Sequence, residues 1–156
     1  MNNNSNSRGW VKLLASFFYV GCLPWMPGTW GSLAVLPIAW FFSENLVWIV
    51  VIFSFIGFLI CKPAEEAFNS KDPDWFVLDE TAGMALAVLW LPKNWILYAA
   101  GFVLFRILDI WKPGPLGWIQ KTKSPSSIMW DDLLAGAAVN IFLQGVVWVA
   151  SSILGG

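Results

Sequence analysis

The sequence predicts an all-α fold, a polytopic membrane helical bundle of about five membrane helices plus a short N-terminal helix. Hydrophobic residues make up 58% of the 156 residues and charged residues only 12%, whereas a soluble domain typically carries about 25% charged residues. The mean hydropathy is +0.65. Many of the 12 tryptophans lie near the ends of apolar runs, as in the aromatic belt at a membrane surface.

The N-terminal part of the chain divides into a polar and an apolar segment. Residues 1–9 are polar with Arg8 as their charge, and we expect a disordered tail there. Trp10–Tyr19 is mostly apolar and predicts a short helix, although Lys12 interrupts the run. We expect no cleaved signal peptide, because no small-residue cleavage site follows. Residues 10–156 are predicted to form one membrane-embedded domain.

Five apolar runs are predicted to be membrane helices, each ending at a polar or proline-containing turn. Most are shorter than the roughly 20 residues of a full span, so each alone also fits a buried helix of a soluble protein. Together, with tryptophan at their ends, they favour the membrane interpretation. The runs are Thr29–Phe42, Leu46–Ile60, Phe76–Leu91, Trp95–Trp111 and Leu133–Leu154.

Two polar segments separate these runs on one side of the predicted bundle. Ala64–Asp74 is the longest charged stretch and predicts a helix plus a turn outside the bilayer, while Lys112–Ser127 predicts a loop rich in proline and glycine. If the turns at 43–45 and 92–94 face the opposite side, every lysine and arginine except Lys93 lies on the side of these segments. The positive-inside rule makes that side cytoplasmic.

Acidic residues cluster at the cytoplasmic ends of three predicted helices. They are Asp79 and Glu80, Asp109, and the pair Asp131 and Asp132. The pairs Asp79-Glu80 and Asp131-Asp132 open predicted helices, where helix capping is a sufficient structural explanation. Charges at a membrane boundary are costly unless they are solvated, paired or bound to a metal. Five carboxylates without histidine suit Mg²⁺ or Mn²⁺, which prefer oxygen ligands.

Basic residues accompany Asp109 at regular spacing. Arg106, Asp109 and Lys112 follow one another at intervals of three, which places them roughly on one helical face. One interpretation is a structural salt-bridge ladder. The other is a phosphate site, because Arg106 and Lys112 suit an anion that a divalent cation also contacts.

Composition excludes several other classes of function. The chain has no histidine, which removes a Ser-His-Asp triad and histidine metal ligands. Its two cysteines are too few for a disulfide framework or a cysteine-rich zinc site. A net charge of −1 argues against nucleic acid as a partner.

The loop Gly21–Ser32 supports the phosphate interpretation. Gly28, Thr29 and Gly31 precede an apolar run, and backbone N–H groups exposed at such a helix start attract anions. The alternative is a turn in which Thr29 or Ser32 caps the helix.

Taken in order, four blocks of sequence resemble the phosphatidylglycerophosphatase A family of bacterial membrane enzymes. The blocks run from residue 21 to residue 136 and cover most of the chain. They are Gly21–Ser32 with its Pro-Gly-Thr-x-Gly-Ser core, Val77–Glu80 with Gly83, Phe105-Arg106 through Asp109 to Lys112-Pro113 with Pro115, and Asp131-Asp132 with Ala135-Gly136.

The resemblance implies an enzyme of the bacterial cytoplasmic membrane that hydrolyses phosphatidylglycerol phosphate to phosphatidylglycerol with Mg²⁺, its active site facing the cytoplasm. It implies membrane lipids as surroundings and no obligatory protein partner. The residues it implies for the metal site are Asp79, Glu80, Asp109, Asp131 and Asp132; for the substrate phosphate they are Arg106, Lys112, Thr29 and Ser32.

The expected mechanism is direct hydrolysis with Glu80 accepting a proton from water, and Asp79, Asp109 and Asp132 completing the catalytic group. A covalent route through an aspartate is its alternative. Two other functions compete with the phosphatase. One is another Mg²⁺-dependent enzyme acting on lipid head groups, such as a transferase of CDP-alcohols. The other is a small non-enzymatic membrane protein with structural ion pairs.

Overall fold

The computed structural model describes residues 3–70, 73–111 and 124–154. Within these residues the chain is all-α, with six α-helices and two short 3₁₀ turns at Val20–Cys22 and Ser43–Asn45. The helices are α1 (Asn3–Ala15), α2 (Pro27–Phe41), α3 (Leu46–Phe68), α4 (Leu78–Ala87), α5 (Trp95–Trp111) and α6 (Ser127–Leu154).

The first helix differs from its prediction at both ends. It begins at Asn3 instead of Trp10 and ends at Ala15 instead of Tyr19. Asparagine and serine have weak helix propensity, so composition alone predicts no helix over these residues. Most of the polar segment that we expected to be a disordered tail therefore forms the first turns of α1.

The third helix does not end where we predicted, at Ile60 before the residues Cys61-Lys62-Pro63. α3 continues through Pro63 to Phe68, so residues 64–68 of the charged segment belong to the same helix. A proline removes one backbone hydrogen bond and is costly inside a helix. Cys61 and Ala64 on either side of it are both buried, and this continued packing supports the helix.

The pair Asp131 and Asp132 lies further inside its helix than we predicted. α6 begins at Ser127, six residues before the predicted apolar run, because hydropathy does not mark where a helix starts. The Ser127 hydroxyl donates to the Ser124 carbonyl at 2.7 Å and forms the turn that precedes the helix. Asp131 and Asp132 consequently lie in the second turn and are not the capping residues that we considered.

The fourth helix is the centre of the bundle. α4 packs against α2, α3, α5 and α6, and eight of its ten residues are buried. At about 1.5 Å per residue it is about 15 Å long, about half the thickness of a bilayer core. The prediction over Phe76–Leu91 thus holds for its centre only.

The C-terminal end of α4 lies inside the bundle, where its carbonyl groups need donors. The Asn140 side chain of α6 donates to the Leu89 carbonyl at 2.7 Å and to the Ala87 carbonyl at 3.3 Å. Gln144 donates to the same Leu89 carbonyl at 3.2 Å. These two polar residues of an otherwise apolar helix therefore stabilise the end of its neighbour.

Two helices are long and apolar enough to cross a membrane. They span Ser43–Phe68 and Ser127–Ile153, with mean hydropathies of 2.3 and 1.9 over their best windows. Only 22% and 28% of these windows are buried, so most of their apolar surface faces outward. A core helix of a soluble protein would instead be covered by its neighbours. This outward apolar surface indicates membrane association.

Candidate active site

One end of the bundle contains a cavity of about 910 Å³. Its walls come from α1, the segment between α1 and α2, the segment that precedes α4, and the adjoining ends of α2, α4, α5 and α6. Most of the charged side chains predicted for the site converge here although they are far apart in sequence. The charged residues that line the cavity are Lys12, Asp74, Asp79, Glu80, Arg106, Asp109 and Asp132.

Three carboxylates form a cluster in this cavity. Oxygen atoms of Asp79, Glu80 and Asp132 all lie within 4.8 Å of one another. Asp79 is 4% exposed and Asp132 is 3% exposed, so both are largely withdrawn from water. The Oε2 atom of Glu80 is buried and has no hydrogen-bond partner in the described part of the chain. Buried carboxylate oxygens at this spacing fit a hard divalent cation.

Backbone contacts hold the first turn of α4 in place. The Val77 N–H group donates to the Ala15 carbonyl at 2.9 Å, which ties the entry of α4 to the end of α1. The buried Thr81 hydroxyl donates to the Val77 carbonyl at 2.6 Å. The Asp79 carboxylate accepts from the Glu80 N–H group at 2.9 Å. Asp79 and Glu80 therefore project from a fixed turn, as the sequence predicts for a helix start.

Two glycines bring Asp132 to this turn. A methyl group added at Gly136 of α6 would collide with the Gly83 carbonyl of α4. One added at Gly83 would lie 2.6 Å from the Asp132 carbonyl. The two backbones thus meet directly, and only residues without a side chain allow this approach. The resemblance blocks contain both glycines, although hydropathy alone does not explain them.

Arg106 of α5 provides positive charge beside the carboxylates. Its Nη1 atom lies 2.6 Å from Asp109 Oδ2 and 4.0 Å from Glu80 Oε1. All three side chains are less than one-fifth exposed. The Arg106 Nε atom is buried without a hydrogen-bond acceptor in the described residues. Asp109 therefore pairs with the arginine and lies outside the three-carboxylate cluster.

The remaining predicted site residues occupy other positions. Asp131 is buried next to Asp132 but does not belong to the cluster. Ser32 is buried and donates to the Gly28 carbonyl at 2.8 Å. Neither Ser32 nor Thr29 lines the cavity, although both lie in the first turns of α2. Lys112 lies outside the described residues.

Two further residues are part of the site: Gly28, which the sequence analysis placed in a candidate anion-binding loop, and Lys12, which was not predicted for it. Gly28 packs directly against the Glu80 carboxylate and the Arg106 guanidinium, where a side chain would have no room. Lys12 of α1 lines the cavity from the opposite end of the sequence. The sequence shows this lysine inside an apolar segment, but it does not indicate which groups the side chain faces.

An arginine beside buried carboxylates that suit a divalent cation is an arrangement for phosphate chemistry, and the apolar outer surface of the bundle associates this site with a membrane. The fold and site thus define a membrane-associated phosphohydrolase. A family model described as phosphatidylglycerophosphatase A matches residues 13–147, and the chain belongs to this family. Its reaction is the dephosphorylation of phosphatidylglycerol phosphate to phosphatidylglycerol, and it is therefore a phosphoric monoester hydrolase.

Individual relatives agree with the family. The chain is 40% identical over 137 residues to the phosphatidylglycerophosphatase A of Escherichia coli K12, an alignment that covers 83% of this chain and 78% of the relative. It is 34% identical over 132 residues to the Haemophilus influenzae protein of the same name, covering 80% and 81%.

A third relative carries a different name. The chain is 34% identical over 149 residues to a Bacteroides thetaiotaomicron protein whose name provisionally calls it a phosphatidylinositol-3-phosphatase, covering 88% of this chain and 93% of the relative. No solved structure matches the chain.

Proposed function

We propose that the cluster of Asp79, Glu80 and Asp132 is the catalytic metal site and that it holds Mg²⁺. The observation that carries this proposal is the convergence of three carboxylates from two helices at the side of Arg106. Structural capping does not account for it, since Asp132 lies in the second turn of α6. A bound Mg²⁺ would supply Lewis-acid activation of the phosphate and of water.

Three side chains of the protein then have different roles in hydrolysis of the terminal phosphate. Arg106 neutralises negative charge on the phosphoryl oxygens, because its guanidinium lies at the edge of the cluster. Glu80 belongs to the cluster, lies 4.0 Å from Arg106 and accepts the proton of the attacking water. Asp109 holds the guanidinium in place through their ion pair and acts as a positioning residue.

The shape of the cavity fits a substrate with a polar head and two acyl tails. The charged groups lie at one end of the bundle, so only the head group needs to enter the cavity. The apolar outer surfaces of α3 and α6 leave the tails in the lipid. Hydrolysis at this site needs no protein partner, and we expect the purified chain to be active alone.

We further propose that α2 to α6 form five membrane crossings with the site on the cytoplasmic side. α4 is too short to match the bilayer by itself, but the helices around it separate it from lipid. Asn140 and Gln144 satisfy the backbone at its end, as a broken helix inside a membrane protein requires. The bias of positive charge toward the cavity end supports the cytoplasmic orientation.

Release of inorganic phosphate from phosphatidylglycerol phosphate in detergent micelles tests the site. We expect the purified chain to require Mg²⁺, to lose activity in EDTA, and to lose it in Asp132→Asn. Glu44→Gln is the matched control, because Glu44 is exposed in the turn between α2 and α3. Metal-independent release by the wild type, or full activity of the Asp132 variant, would contradict the proposal. Phosphatidylinositol 3-phosphate is the comparison substrate.

Cysteine labelling tests the orientation with residues that the chain already has. Cys22 is exposed and lines the cavity, whereas Cys61 is buried. A membrane-impermeant maleimide should therefore label Cys22 only after the cells are opened. A Cys22→Ser, Glu44→Cys variant should be labelled in intact spheroplasts. The reverse pattern would show that the site faces outward.

A further inference from the structure

The cavity contains a second positive charge apart from the carboxylate cluster. Of the described residues that line it, Lys12 and Arg106 are the two that carry positive charge. They come from two different helices, α1 and α5. The mechanism above uses Arg106 and leaves Lys12 without a role.

The Lys12 side chain is placed by aromatic contacts. Its Nζ atom lies 5.8 Å from the centre of the Trp75 ring, within the range of a cation–π interaction. Trp75 packs edge to face against Phe68 of α3, with ring centres 4.7 Å apart. The ammonium group is therefore directed by a fixed ring and is not a freely moving surface charge.

The backbone near Lys12 is tied to the catalytic turn. Lys12 lies one turn before Ala15, whose carbonyl accepts the Val77 N–H bond at the entry of α4. A methyl group at Gly21 would collide with the Trp75 carbonyl, so the wall next to Trp75 is closely packed. The position of Lys12 relative to Asp79 and Glu80 is consequently set by the fold.

The two cations differ in how much of their charge is already used. Arg106 is paired with Asp109 and lies close to Glu80. Within residues 3–70, 73–111 and 124–154, Lys12 forms no ion pair within 4.0 Å, and Trp75 is its charge-stabilising contact. Lys12 is half-buried, lines the cavity and is still available to an anion.

The substrate offers two anionic groups that match two cations. Phosphatidylglycerol phosphate carries a terminal phosphomonoester and, one glycerol unit away, the phosphodiester that leads to the acyl chains. We propose that Lys12 binds this phosphodiester while Arg106 contacts the phosphomonoester that is cleaved. This assignment rests on the proposed function of the carboxylate site, and it makes Lys12 a specificity residue that selects lipids with a second phosphate.

Steady-state kinetics of Lys12→Met on phosphatidylglycerol phosphate tests the assignment. We expect KM to rise about tenfold, since one charge-assisted contact to the substrate is lost, with kcat changed by less than about twofold. The inhibition constant of inorganic phosphate, which reports on the Arg106 side, should stay at the wild-type value. Lys12→Arg should keep KM close to the wild-type value, because it retains the positive charge.

Two further variants keep the test specific. Lys62→Met is the matched control, because Lys62 is an exposed lysine whose partner is Glu66 and it should leave KM unchanged. Trp75→Leu removes the ring that directs Lys12 and should raise KM in the same direction by a smaller factor.

Distinct outcomes would overturn the assignment. An unchanged KM in Lys12→Met shows that Lys12 does not bind the substrate. An equal weakening of inorganic phosphate places it at the phosphomonoester instead. A fall in kcat with constant KM makes it part of the chemical step. Loss of hydrolysis by the wild type itself would instead contradict the proposed function, so the two failures are distinguishable.

Discussion

Both ends of α4 are buried, but they contain different polar groups: backbone carbonyls at one end and carboxylates at the other. At the C-terminal end, Asn140 and Gln144 donate to the carbonyls of Ala87 and Leu89, so internal hydrogen bonds satisfy the backbone. At the N-terminal end, the carboxylates of Asp79 and Glu80 lie close to the carboxylate of Asp132, so three acidic groups share one site.

This difference separates stability from function along a single ten-residue helix. Buried like charges are costly, and a protein keeps them where a ligand compensates for them. Buried carbonyl groups that accept hydrogen bonds from amide side chains need no ligand to compensate for them. Substitutions at the N-terminal end should therefore reduce activity without loss of stability, and substitutions at the C-terminal end should reduce stability without loss of activity.

The largest effect is expected from Asp132→Asn at the charged end. Loss of a carboxylate from the metal site should lower phosphate release about 100-fold or more, because such sites provide several kcal/mol of transition-state stabilisation. The thermal unfolding midpoint in EDTA should stay close to that of the wild type, because asparagine has nearly the same size as aspartate and keeps a side-chain oxygen that accepts hydrogen bonds. A lower midpoint would show that Asp132 is a structural residue instead.

Gly136→Ala should damage both properties, because Gly136 joins the two helices that hold the cluster. The new methyl group collides with the Gly83 carbonyl and pushes α6 away from α4. Overpacking of this kind costs about 1–3 kcal/mol of stability. A displacement of about 1 Å at the site is enough to lower activity by roughly 100-fold.

Gly145→Ala is the control for this collision. Gly145 lies in the same helix, and a methyl group there meets nothing within 4 Å. We expect wild-type activity and equal or higher stability. Similar losses in both variants would mean that the loss does not come from the collision with Gly83, which would remove the argument from close approach.

Asn140→Leu changes the C-terminal end of α4 and should reduce stability while activity is retained. Leucine has a similar size but leaves the carbonyls of Ala87 and Leu89 without this donor. We expect the free energy of unfolding to fall by about 1–3 kcal/mol, with activity retained below the unfolding temperature. Ser152→Ala on the exposed face of α6 is the control. Loss of activity without loss of stability would contradict the comparison.

The smallest effect is stabilisation by the metal. If the three carboxylates bind Mg²⁺ in the folded state only, free Mg²⁺ at ten times its Kd should add about 1.4 kcal/mol of stability. A thermal shift with increasing MgCl₂ measures it. Asp132→Asn should show no such shift, and Ca²⁺ provides a comparison of ion size. An equal shift in both proteins would locate the ion elsewhere.

Most helices were predictable because each corresponds to an apolar run that ends at polar or proline-containing residues. The boundaries were harder where composition and packing disagree. Pro63 was expected to end a helix, but α3 continues because the residues around it are buried. Ser127 begins α6 through a serine turn that hydropathy does not register. The short length of α4 depends on which residues its neighbours enclose.

Within the site, residue type alone led to the prediction of the chemistry, with a structural ion network as the alternative. Carboxylates without histidine in an apolar chain predict an oxygen-ligated divalent cation, and a nearby arginine predicts phosphate. The resemblance to a known family agreed with this chemistry, and the comparison with the family model confirmed the family. These conclusions depend on which atoms the side chains carry, so they do not require coordinates.

Only the tertiary structure decided which of those side chains meet. It grouped Asp79 and Glu80 with Asp132, paired Asp109 with Arg106, and placed Ser32 against the backbone of its own helix. It also brought Lys12 into the same cavity. Such choices follow from helix crossings such as the contact of Gly83 with Gly136. A crossing joins residues that are distant in sequence, and local periodicity carries no information about that distance.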